Sequence, residues 1–137
     1  MIKYKMKIIP GGVGAMEYNF NWNYITSGAP YVTISKFGIS MNGAVIQMLQ
    51  KPDKIMMGFD VNARVIGIKP YCGEEDVSTY EFKNKIRNNW IRIGCKDFVK
   101  HLSHMTGIDF EKSKKFLASF DETTKTVYFK VEENEKL

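Results

Sequence analysis

The chain has 137 residues, with 20 Lys or Arg against 15 Asp or Glu, which leaves a net charge of +5 and a pI near 9.1. At 44% hydrophobic and 26% charged residues the composition is that of an ordinary globular domain and excludes a disordered or fibrous chain. No apolar run reaches the ~18–20 residues that cross a bilayer, and MIKYKMKIIP has charge but no apolar h-region, so neither a membrane span nor a signal peptide is expected. Cys72 and Cys95 are then expected as two reduced thiols of a cytoplasmic protein, and a chain this long builds a core without disulfide or metal.

Residues 1–30 read as an N-terminal hairpin-like segment. Lys3, Lys5 and Lys7 alternate with Ile2, Tyr4, Met6 and Ile8, and Tyr18, Phe20, Trp22 and Tyr24 share one face of a second period-2 run. Residues 31–70 read as a first β-α-β-β unit: the β-branched strand YVTI, a short helix with Ser40 as N-cap and Ala44, Val45, Met48 and Leu49 on one face, then two strands around the turn Asp60–Ala63. Residues 71–89 read as a linker that begins acidic and ends basic. Residues 90–131 read as a second β-α-β-β unit: the strand WIRI, a helix with Phe98, Leu102 and Met105 on one side and Gly107 as C-cap, and strands at 116–120 and 126–131. Residues 132–137 read as an acidic tail.

The two units align. Tyr31 precedes Asp60 by 29 positions and Trp90 precedes Asp121 by 31, so YVTI falls on WIRI, and the hairpins match at Phe59/Phe120, Asp60/Asp121, Arg64/Lys125, Ile66/Val127 and Ile68/Phe129. The expected fold class is α+β: duplicated β-α-β-β units in a compact, β-rich, pseudo-symmetric domain with short helices. Positive charge follows the units, with five cations and two acids in residues 31–70 and eight and five in residues 90–131.

No constellation points to chemistry. Cys95, His101 and His104 form a Cys-x5-His-x2-His set with no second cysteine nearby, short of a zinc site and of a nucleophile with its orienting groups. Asp60 and Asp121 each open a hairpin loop, where Asp caps its own turn. No catalytic, cofactor or metal residue is therefore assigned, and the chain is not expected to be an enzyme. The aromatic run at 18–24 is expected in a core. The basic residues remain: Lys36 and Lys96, taken as comparable positions between strand and helix, Arg64 and Lys125 at the start of the last strands, and Arg92 on WIRI. On one face of a pseudo-symmetric domain they would meet phosphates.

The stretches YVTIS (31–35), VIQML (45–49) and RVIGIKP (64–70) resemble the AbrB/MraZ group of swapped-hairpin DNA-binding domains, and the tandem arrangement looks more like MraZ. The resemblance covers residues 31–70 and, more loosely, 90–131. It implies DNA binding, with phosphate contacts at Lys36 and Arg64 in the first copy and Arg92, Lys96 and Lys125 in the second. The leading expectation is a cytoplasmic, oligomeric nucleic-acid-binding protein acting in transcription regulation. The alternative is a non-enzymatic protein–protein interaction or self-assembly module.

Overall fold

The computed structural model describes residues 28–132. The hairpin-like reading of the N-terminal segment up to residue 27, and the acidic tail from residue 133, lie outside the described residues. The chain runs β1 (Tyr31–Ser35), β2 (Gly38–Met41), α1 (Gly43–Leu49), β3 (Lys54–Asp60), β4 (Val65–Pro70), β5 (Thr79–Glu81), a 3-10 turn (Lys83–Lys85), β6 (Ile91–Gly94), α2 (Lys96–Thr106), β7 (Lys114–Leu117), β8 (Ser119–Asp121) and β9 (Thr126–Lys130). The fold is α+β and β-rich: among the described residues there are two antiparallel sheets, of order β6-β2-β1-β7 and β5-β3-β4-β9-β8, with two short helices. At the Ala118 break between β7 and β8 the chain passes from one sheet to the other, and the Ala118 N–H donates to the Pro30 carbonyl at 3.0 Å.

Alternation explains the strands. Val32 and Ile34 of β1, Ile39 and Met41 of β2, Ile91 and Ile93 of β6, and Val127 and Phe129 of β9 are all buried. They join Val45, Ile46 and Leu49 of α1 and Val99 and Leu102 of α2 in one core. No polar or charged residue is buried among the described residues, so the core is held by apolar burial.

Four expectations are corrected. Ser40 does not cap the first helix. It lies in β2, and Asn42 is the cap, its Oδ1 accepting from the Val45 N–H at 3.3 Å and from the Tyr31 N–H at 3.1 Å. GISM is too short to display its period, so a strand serine passed for a cap, and the first half is β-β-α-β-β rather than β-α-β-β. Consequently YVTI is not the counterpart of WIRI: β6 pairs with β2, and each of those two strands runs directly into a helix. The segment read as a linker holds β5 and the 3-10 turn, and Phe82 in it is fully buried, a lone aromatic that no periodicity marks. On α2 the buried residues are Val99 and Leu102, while Met105 is exposed.

The two halves are joined reciprocally. β1 of the first half pairs with β7 of the second, and β5 of the second pairs with β3 of the first. Between β2 and β6 the partners are Ile39↔Ile93, Ser40↔Arg92 and Met41↔Ile91. Between β4 and β9 they are Ile66↔Phe129, Gly67↔Tyr128 and Ile68↔Val127. Each of these two registers runs over four residue pairs, from Gly38↔Gly94 to Met41↔Ile91 in one sheet and from Val65↔Lys130 to Ile68↔Val127 in the other.

Phe82→Ala should lower unfolding stability by about 3–5 kcal/mol, as for other buried Phe truncations. Val77→Ala, at an exposed position in the same segment, should stay within about 0.5 kcal/mol. Urea denaturation of the two variants measures both. Equal midpoints would show that the segment does not belong to the core.

Candidate nucleic-acid interface

The five cations singled out by the sequence do not form one patch. Lys36 sits in the turn between β1 and β2, and its Nζ lies 3.1 Å from Glu111 Oε1. Lys96 is the first residue of α2. The two are therefore not comparable positions, because β2 stands between Lys36 and the first helix. Yet the Gly38↔Gly94 register sets the Lys36 turn beside the β6–α2 junction, and both lysines line a cleft of about 310 Å³. Lys100 and the acids Asp97, Asp109 and Glu111 line it too, above Val99 and Phe110. Three cations and three anions leave that cleft without net charge, so it offers little to a phosphate.

Arg64 and Lys125 belong to the turns of the second sheet. Both adopt left-handed backbone, at φ 60 and φ 58, as the residue closing such a hairpin loop does. The aspartates opening these loops are turn formers: Asp60 Oδ1 accepts from the Ala63 N–H and Asp121 Oδ1 from the Thr123 N–H, each at 3.0 Å. Arg64 is half-buried, and its Nη2 donates to the Thr106 carbonyl at 3.1 Å, at the C-terminal end of α2 where a cation complements the helix dipole. Because β4 and β9 run antiparallel with Val65 beside Lys130, the two turns lie at opposite ends of the sheet. Lys125 is exposed at its end, away from the other four.

Arg92 leads to the charged surface. The four strands of the first sheet contain Arg92, Lys114 and Lys115 and no Asp or Glu. The strands of the second sheet are balanced, with Lys54, Lys69 and Lys130 against Asp60, Glu81 and Asp121. On the solvent side of the first sheet the registers place Arg92, Ser40, Thr33 and Lys115 in one row across β6, β2, β1 and β7. At about 4.8 Å per strand the row is roughly 14 Å long, with a cation at each end and two hydroxyls between. Lys115 Nζ also stands 4.5 Å from the centre of the Tyr31 ring.

The row continues along the chain. From Phe82 to Lys96 there are five cations, Lys83, Lys85, Arg87, Arg92 and Lys96, and no acid; all five are exposed. The Arg87 guanidinium donates from Nη1 to the Asn84 and Ile86 carbonyls, each at 2.8 Å, which fastens the basic 3-10 turn. Sequence reasoning passed over Lys83, Lys85, Arg87 and Lys115. The acid-free run is visible in the sequence, but its place at a linker's end hides it, and only strand pairing sets Lys115 in one row with Arg92.

The residues weighed for chemistry do not converge. Cys95 is buried, and burial pushes its thiol up to about 11, while His101 and His104 are exposed. Among the described residues no three His, Cys, Asp or Glu side chains group as metal ligands, and no helix is long and apolar enough to cross a membrane. Comparison with protein-family models, curated proteins and solved structures returned no match.

Cys72 is exposed and neither thiol is in a disulfide. Thiolate is the reactive form, so at pH 8 a thiol-specific reagent should modify Cys72 rapidly and leave Cys95 intact until the protein unfolds. Raising the pH toward 11 should speed modification of Cys95, as its raised thiol begins to ionise. Mass spectrometry of peptides reads both, and equal rates at pH 8 would contradict the burial of Cys95.

Proposed function

We propose that this protein binds the phosphate backbone of nucleic acid through the solvent face of its first sheet and the adjoining Phe82–Lys96 segment, in the service of transcription regulation. One observation carries the reading: the four strands of the first sheet contain no acid and run into fifteen residues, Phe82 to Lys96, that contain none, so Arg92, Lys115, Lys83, Lys85 and Arg87 lie exposed on acid-free stretches. Phosphate contacts fix position without sequence information, and hydroxyls such as those of Ser40 and Thr33 donate to phosphate as well. The reciprocal registers support the further reading that the two halves are copies of one unit, with β1 answering to β5, β2 to β6 and β4 to β9. On that reading the contact face lies where β2 of one half pairs with β6 of the other. Of the cations selected from the sequence, Arg92 stays in the interface, whereas Lys36 and Lys96 belong to the charge-balanced cleft and Arg64 and Lys125 serve a helix end and a turn.

A protein partner is the second reading, and one observation favours it: Leu117 is 61% exposed beside Tyr31 on the same sheet. Size-exclusion chromatography at several concentrations, with and without oligonucleotide, separates the two.

Release of counterions by four or five cations gives a slope of about −4 in log affinity against log salt. Binding to mixed-sequence oligonucleotides should therefore weaken by roughly a few hundredfold between about 50 and 200 mM salt. Replacing Arg92 and Lys115 together by Gln should reduce that slope by about 2, and Lys125→Gln should leave it unchanged. Fluorescence anisotropy measures all three, and salt-independent binding, or none, would refute the electrostatic reading.

A further inference from the structure

We infer that Trp90 and Arg92 form a nucleotide-stacking site, so that the preferred ligand of this face is single-stranded nucleic acid. The inference rests on the nucleic-acid reading above and names its ligand class. Ile91 and Ile93 are buried, so Arg92 and Gly94 of β6 face solvent, and Trp90, bridged to Arg87 immediately before β6 and itself exposed, continues that alternation. Trp90 and Arg92 are thus about 6.8 Å apart along the strand, close enough for one ring to cover a base while the guanidinium meets that nucleotide's phosphate. Beyond them Gly94 has open space where a side chain would stand, which leaves the line clear for the chain of the ligand.

The indole is presented and held. Trp90 is 45% exposed, and among the described residues its ring has no stacking or cation–π partner. Its backbone is pinned by two hydrogen bonds with Arg87, at 2.8 and 3.0 Å. They close a two-residue turn in which Asn88 and Asn89 both adopt left-handed backbone, at φ 52 and φ 60, the geometry of a tight hairpin. The Asn89 amide fills the space where a side chain on Gly43 would be, tying this turn to the start of α1. A single exposed aromatic is common on protein surfaces, but this one stands in the middle of the acid-free run, between Arg87 and Arg92. A duplex keeps its base faces stacked on one another, whereas a single strand offers them, and each base stacked on an aromatic side chain adds materially to affinity.

The test compares an oligo-dT strand with a mixed-sequence duplex of the same length, by anisotropy of the labelled oligonucleotide. Trp90→Ala should weaken oligo-dT binding by about 5- to 150-fold and leave duplex binding unchanged. Trp90→Phe, which keeps a ring, should retain most of the affinity and guards against misfolding of the alanine variant. Since Trp22 is the other tryptophan, Trp22→Phe leaves Trp90 as sole reporter, and its fluorescence should be quenched by oligo-dT and much less by duplex. If Trp90→Ala affects both ligands equally or neither, while Arg92→Gln weakens both, the stacking site is refuted and the backbone reading stands. If neither ligand binds the unsubstituted protein, both are refuted.

Discussion

The exchange of strands between the two halves is the constraint on which the rest of this molecule depends. β1 finds its second partner in β7 and β3 finds its own in β5, so neither half can complete its sheets alone. A half deprived of the other would expose unpaired strand edges and uncover Val32, Ile34 and Phe82, all fully buried. The same exchange builds the charged face. Arg92 and Lys115 come from the second half, Ser40 and Thr33 from the first, and only interleaving sets them in one row.

The face is positive through what it lacks. Elsewhere among the described residues several lysines have an acid beside them, as at Lys54–Glu81 and Lys69–Glu74 and around the Lys36–Glu111 cleft. Exposed pairs of this kind add little stability, but they do erase the local field. The first sheet and the Phe82–Lys96 stretch contain no acids of their own, which lets a protein of modest net charge carry a local excess of cations there.

Much of the fold was legible from single positions. The α+β, β-rich class followed from the alternation in YVTIS and RVIGIKP, and the turns at Asp60 and Asp121 from turn chemistry that needs only neighbours. Strand β2 was not, because four residues containing a glycine and a serine carry no period and Ser40 stood where a cap was wanted. Phe82 was not, because one aromatic in a polar segment has no partner in sequence. For the site the division is similar. Arg92 could be selected because it punctuates an apolar strand, but Lys115, at the far end of the same row, could not, since only the two intervening strands relate them. Arg64 looked like a ligand-binding residue because nothing local reveals that its guanidinium reaches the carbonyl of Thr106. Charge was readable from the sequence, whereas the surroundings of each charge were not.

The most direct test of the account is a residue-by-residue map of backbone amide shifts in an isotope-labelled sample titrated with oligonucleotide. The account predicts perturbations concentrated on β6, β2, β1 and β7 and on residues 83–90, with the turns at 61–64 and 122–125 unmoved. Perturbations confined to those turns, or to the cleft between Lys36 and Lys100, would contradict it.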